Sequence, residues 1–140
     1  MAITETVRAV GHEHVAGTHE STFEVTTDDY LTPAGDCILG IEADRAPADL
    51  SEEFVAAARD ADATIRATIE VDEASVTITG RGDPALTFDD ERSMVGRTST
   101  YVDDRTIMLE ADAAATDVDR ALVDALADGA EMVFRLTVER

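Results

Sequence analysis

Of 140 residues, 31 are acidic and 11 basic, every base an arginine, for a formal net charge of −20. Apolar residues make up 44% of the chain, too many for a disordered acidic tail, and no run approaches the roughly 18–20 apolar residues of a membrane span. The length suits a single domain over residues 1–140. One cysteine, Cys37, excludes an internal disulfide and fits a reducing cytoplasm, while Glu5 and Arg8 in the opening segment argue against a signal peptide.

In chain order, Ile3 to Val10 alternates weakly and predicts a strand that Gly11 interrupts. Val15 to Thr26 is rich in β-branched and aromatic residues, with Phe23 and Val25 on one face, and predicts a longer strand. Residues 28–36 carry Pro33 and Gly35 and read as a loop, and Cys37 to Ala43 as an apolar, central strand. Asp49-Leu50-Ser51-Glu52 forms a capping box for a helix whose face is Leu50, Phe54, Val55 and Ala58. Thr64 to Val71 and Ser75 to Thr79 are strands joined at Asp72–Ala74. Met94 to Val102 and Thr106 to Ala111 read as a hairpin about Asp103–Asp104. Thr116 to Asp119 caps a second helix with the stripe Val118, Leu122, Ala125 and Leu126, ended by Gly129. Met132, Phe134, Leu136 and Val138 alternate in a closing strand.

A shift of 68 residues lays Glu42-Ala43-Asp44 on Glu110-Ala111-Asp112, Asp49 on Asp117, Phe54 on Leu122 and Asp60 on Asp128. The expected fold is therefore α+β, a single domain from two duplicated strand–strand–helix–strand halves with a mostly antiparallel sheet. The halves fall at about 12–71 and 93–139, and Ser75 to Thr79 is an extra strand between them. Neither half buries enough apolar surface alone, so the two must merge.

The acid is spread along the chain rather than gathered in a tail. With all-arginine bases and abundant alanine, it matches the style of a salt-in halophilic archaeal proteome. Dense carboxylates keep a hydrated, self-repelling surface, and at about 1 M salt the Debye length of roughly 3 Å removes the repulsion that would oppose folding. The charge thus describes the solvent more than the partner.

Three histidines fall within eight residues, His12, His14 and His19. On a strand His12 and His14 share a face. Imidazole suits zinc, and His12, His19 and Cys37 are the candidate metal ligands. As a nucleophile Cys37 would need a nearby cation, and the adjacent Asp36 pushes the other way. His19 and Asp36 are the candidate proton carriers. Arg92, Arg97 and Arg105 gather around one predicted hairpin with Ser93, Thr98 and Ser99, a combination able to hold phosphate or carboxylate bidentately. The plainer reading of these arginines is local pairing with Asp89, Asp90, Glu91, Asp103 and Asp104. No Walker loop, dinucleotide fingerprint, zinc ribbon, nucleophile elbow or basic aromatic stripe is present.

Gly11-His12, Thr18-His19, Thr22-Phe23-Glu24 and Leu31-Thr32-Pro33-Ala34-Gly35-Asp36-Cys37-Ile38, followed by Arg92-Ser93 and Arg105-Thr106, resemble an archaeal family catalogued as domain of unknown function 371. The resemblance spans nearly the whole chain. It implies a small cytoplasmic archaeal protein, here a haloarchaeal member. It also groups His12, His19, Thr32, Asp36, Cys37, Arg92, Ser93 and Arg105 as a polar site, with His14 held less strictly.

Two functions compete. One is a small-ligand protein holding an anionic metabolite or nucleotide through His12, Thr32, Asp36, Arg92, Ser93, Arg97 and Arg105, with or without proton transfer. The other is a non-catalytic interaction module, docking a second copy, another protein or RNA through the hairpin arginines. A metal-dependent enzyme built on His12, His19 and Cys37 is a third, and no membrane partner is expected.

Overall fold

The computed structural model describes residues 2–140. Its elements are β1 (Ala2–Val10), β2 (Thr22–Thr26), β3 (Ile38–Gly40), α1 (Glu52–Ala58), β4 (Thr64–Val71), β5 (Ala74–Arg81), β6 (Ser93–Arg97), β7 (Thr106–Met108), α2 (Arg120–Ala127) and β8 (Glu131–Glu139). Short 3-10 turns at Pro47–Asp49 and Ala115–Asp117 precede the helices.

The strands make two four-stranded sheets, ordered β1-β8-β4-β5 and β3-β2-β6-β7. The first is antiparallel throughout. The second is antiparallel only between β2 and β6, with β3 parallel to β2 and β7 parallel to β6. Single bridges at Val10–Ile41 and Arg81–Leu109 tie the edges of one sheet to those of the other. The period-two pattern of β4 and β8 puts Ile65, Ala67, Ile69, Phe134, Leu136 and Val138 inside. Phe134 meets Phe23 of the second sheet edge-on, with ring centroids 6.4 Å apart, so the core lies between the sheets. Gly96 exists for that contact, because a Cβ there would enter the Phe23 ring.

Each helix begins with a divided cap. Ser51 Oγ accepts from the Phe54 N–H and the Asp119 carboxylate from that of Ala121. Asp49 and Asp117 serve the preceding 3-10 turns instead, accepting from the Ala46 and Ala114 N–H groups. α1 packs against β1 and β8, and α2 against β3 and β4.

The architecture is α+β, with four of the six strand ladders antiparallel, as expected. Three expectations need correction. The strand expected over Val15 to Thr26 is only Thr22–Thr26, and residues 11–21 form a loop. Gly11 presses on the Leu126 carbonyl there, and Gly17 takes a positive φ of 56°. The expected hairpin at Asp103–Asp104 does not exist. β6 and β7 run parallel, because the 98–105 connection crosses back over the sheet, held by Asp103 to Arg97. Finally, the strand expected to be central over Cys37 to Ala43 is only Ile38–Gly40 and edges the second sheet beside β2.

Candidate ligand site on the β2–β6 face

Alternation within β2 and β6 turns Phe23, Val25 and Met94 into the core and points Thr22, Glu24, Thr26, Ser93, Val95 and Arg97 the other way. Across the ladder these meet as Thr22–Arg97, Glu24–Val95 and Thr26–Ser93. The outer face of a two-layer fold usually meets water. Here the connections 27–37 and 98–105 cover it. The Asp28 N–H donates to Thr26 Oγ1, and the Tyr101 ring lies 4.8 Å from the Arg97 guanidinium.

The buried polar side chains among the described residues are Glu24, Thr26, Ser93, Arg97 and Thr106, and all five sit on this face. Four of them pair off. Ser93 Oγ donates to Thr26 Oγ1 at 3.1 Å, and Arg97 Nε to Thr106 Oγ1 at 2.8 Å. Glu24 is the exception. Although only 9% exposed, its carboxylate accepts one protein hydrogen bond among the described residues, from Cys37 Sγ at 3.5 Å.

Glu24 lines a cleft of about 170 Å³ with Asp28, Asp90, Arg92, Ser93 and Arg105. Arg92 grips Asp28 bidentately, at 3.1 and 2.7 Å, which lowers the Asp28 pKa. Asp90 accepts from the Arg92 and Ser93 N–H groups at 3.0 and 2.6 Å, fixing the start of β6. Asp103 accepts from the guanidinium groups of both Arg97 and Arg105 and from Thr106 Oγ1. Burial alone would raise its pKa, but Arg97, the Arg105 N–H and the Arg105 side chain together hold it at about 2. Arg105 is thereby anchored at the rim of the cleft. Its guanidinium feels Glu24 electrostatically but makes no hydrogen bond to it. Burial, with Glu24 beside it, pushes the Cys37 thiol up to about 11, so the sulfur is a protonated, weak donor at neutral pH.

Of the residues expected from sequence, Arg92, Ser93 and Arg105 converge in this cleft. Cys37 touches it through Glu24, and Arg97 through the shared Asp103. The local pairing read from sequence holds for Arg97 and Arg105 on Asp103, while the Arg92–Asp28 pair crosses between strands. His19 has a structural role, its Nδ1 accepting from the N–H groups of Ser21 and Thr22 at 3.2 and 3.1 Å. The Asp36 carbonyl accepts from the Thr18 and His19 N–H groups. Thr32 is exposed in the 27–37 loop. His12 lies in the 11–15 turn, where its Nδ1 accepts from the His14 N–H and the two rings stand 5.1 Å apart. No group of three His, Cys, Asp or Glu side chains within reach of one ion is formed among the described residues, so His12, His19 and Cys37 are not gathered around a metal position.

Sequence reasoning missed Glu24, Asp28, Asp90 and Asp103 as site residues. For Glu24 a signal was there, a single charge at the centre of the Thr22-Phe23-Glu24-Val25-Thr26 strand.

The structure defines an α+β protein with one loop-covered polar sheet face and a small cleft of mixed charge. No helix among the described residues is long and apolar enough to cross a membrane. The chain belongs to the family described as Domain of unknown function (DUF371), matched over residues 7–139. It is similar to Uncharacterized protein MJ0206 of the archaeon Methanocaldococcus jannaschii, 42% identical over 132 residues, which cover 94% of this chain and 97% of that one.

Proposed function

We propose that the cleft on the β2–β6 face binds a small anionic metabolite, its acid group held by Arg92 and Arg105 and oriented by Ser93. The observation that carries this reading is the gathering of the buried polar side chains among the described residues on one face, where Glu24 and Ser93 line a cleft with Arg92 and Arg105, beside Asp28 and Asp90. Ligand sites for drug-sized molecules usually enclose roughly 300–1,000 Å³. A cleft of about 170 Å³ favours a small acid over a whole nucleotide. Titration with inorganic phosphate, followed by amide NMR shifts, tests the reading. Shifts should map to 24–28, 90–93 and 105, and Arg105→Ala should weaken them at least tenfold, the worth of a charge-assisted hydrogen bond. Shifts elsewhere, or none, refute it.

A second reading, the interaction module, is favoured by Tyr30 and Tyr101. These are the exposed large hydrophobic residues among the described residues, 57% and 61% accessible, and Tyr101 lies over Arg97. Tyrosine and arginine together are typical anchors of protein interfaces. A second copy of the chain is the proposed occupant, and Tyr30→Ser with Tyr101→Ser should then abolish any dimer seen by sedimentation.

We also infer that the chain arose by internal duplication, from units that begin at β1 and β5 rather than at residues 12 and 93. Matching hydrogen bonds support this. The Asp44 N–H donates to the Arg8 carbonyl and that of Asp112 to Thr79. Likewise the Ala43 N–H donates to Thr26 and that of Ala111 to Arg97. Glu42 and Glu110 share a positive φ of 54° and 52°. A haloarchaeal origin and a cytoplasmic location complete the proposal, resting on the net charge of −20 and the lone cysteine.

A further inference from the structure

We infer that the ligand of this cleft carries, beside its anionic group, a hydrogen-bond donor that is received by Glu24: a small hydroxylated or aminated acid rather than a bare anion. The inference rests on the anion reading above and names its substrate class.

An ionised carboxylate is an acceptor only, with room for about four donors. Glu24 sits nine-tenths buried at the middle of the face, and the protein offers it one thiol at 3.5 Å. No buried side-chain nitrogen or oxygen among the described residues lacks a partner, so the Glu24 oxygen that the thiol does not reach is open to the cleft and free to receive a donor. Its cross-strand neighbour is Val95, which has no donor. Arg105, which feels Glu24 electrostatically, has committed its Nε and one terminal nitrogen to Asp103, and Arg92 has done the same with Asp28. Cys37 remains protonated at neutral pH, but a thiol is a weak donor. Thr26 and Ser93, which flank Glu24, are engaged with each other. The four other buried polar groups of the face thus complete one another, and half-buried Thr22 is engaged with His19, which leaves Glu24 as the one buried acceptor facing the cleft.

A bare anion between the arginines would meet the Glu24 charge at short range, and that repulsion opposes binding. A hydroxyl or ammonium placed one or two bonds from the acid group turns the same contact into a charge-assisted hydrogen bond. The volume agrees. At about 30 Å³ per water, a 170 Å³ cleft holds the equivalent of five or six waters, enough for an acid group and a short donor-bearing arm.

The test compares inorganic phosphate, glycerol 3-phosphate and phosphoethanolamine on wild type and Glu24→Gln by calorimetry. Wild type should bind at least one donor-bearing probe about tenfold or more tightly than inorganic phosphate, the value of one hydrogen bond to a charged group. Preference for phosphoethanolamine identifies an ammonium, and preference for glycerol 3-phosphate a hydroxyl. Glu24→Gln is nearly isosteric and should collapse that advantage to within about threefold, leaving phosphate affinity unchanged or improved. Phosphate binding as tightly as both donor-bearing probes overturns this inference but leaves the anion site standing. So does a preference that survives Glu24→Gln. Failure of all three probes to bind wild type overturns the anion site itself, and this inference with it.

Discussion

Asp103 is the keystone of the 98–105 connection, and Asp103→Asn is the sharpest perturbation of the face. The carboxylate bonds Arg97 at 3.0 Å, Arg105 at 3.1 Å, the Arg105 N–H at 3.0 Å and Thr106 Oγ1 at 3.1 Å. Arg97 is 8% exposed, so its charge depends on this partner. Removing one member of a buried pair costs about 3–5 kcal/mol. Asparagine keeps an acceptor oxygen, and Thr106 and the Tyr101 ring remain on Arg97, which lowers the expectation to about 2–3 kcal/mol.

Titration gives a second route to the number. A shift from the ordinary 3.8 to about 2 corresponds to roughly 2.4 kcal/mol at about 1.4 per unit, reduced by solvent screening to about 1–2 kcal/mol. Because the folded-state pKa is the lower one, the contribution is present in full above about pH 4. It is lost as pH falls through about 2. Chemical denaturation at pH 7 should therefore show a loss of about 2 kcal/mol, with the melting temperature down by about 6–8 °C. The variant should also lose part of the wild-type stability decline between pH 4 and 2. A loss under about 0.5 kcal/mol, equal to that of the surface control Asp104→Asn, would refute the idea that Asp103 neutralises Arg97.

Cys37 should alkylate slowly with iodoacetamide at pH 7.5 and faster as pH approaches the thiol value of about 11; rapid modification at pH 7.5 contradicts its half-buried, acid-flanked placement. The net charge of −20 predicts looser structure in dilute buffer than in molar potassium chloride, read by circular dichroism and refuted by identical spectra. Gly11→Ala and Gly82→Ala should each cost more than about 2 kcal/mol in chemical denaturation, since the added Cβ meets the Leu126 and Ala58 carbonyls, respectively. Either variant melting like wild type would show that the backbone there yields easily.

The parts of the fold legible in sequence were those governed by local periodicity. β4, β5, β8 and both helices lie close to where alternation and helical stripes put them, because each buries one face against the core. The second sheet was harder to read. β3 and β7 are three residues each, too short for a periodic signal, and their parallel pairing is set by connections whose path depends on side chains far apart in sequence. Arg92 with Asp28 is one such contact, Arg97 with Asp103 another. The site was half legible for the same reason. Arginines stand out in a chain with few cations, so Arg92, Arg97 and Arg105 were found. Glu24 and Asp28 were hidden among 31 acids, Asp90 and Asp103 stood out only as local partners of the arginines, and only burial separates Glu24 from the rest. His12 and His19 drew attention as rare residues, yet each spends its Nδ1 on a neighbouring N–H.

The inferred duplication gives a way to tell scaffold from site. Positions 71 apart, such as His19 and Asp90, hold the backbone in the same way. The His19 Nδ1 accepts from residues 21 and 22, and the Asp90 carboxylate from residues 92 and 93. Gly11 and Gly82, at the same offset, each press on a helix carbonyl, and Asp49 and Asp117, past the longer 27–37 connection and so 68 apart, close the same turn. Where the backbone must be held, chemistry is kept or replaced by an equivalent acceptor. Glu24 and Val95 are also 71 apart, and they face each other across the central ladder, so the relation between the units passes between them. Cys37 and Arg105, matched at the offset of 68, flank this pair and donate nothing comparable: one is a neutral thiol, the other a paired cation. A symmetric face would present two carboxylates or two valines at its centre. Unlike residues there suit a ligand whose two ends differ, an acid group toward Arg105 and a donor toward Glu24, and a symmetric dimer contact gives no reason for the units to diverge at that pair.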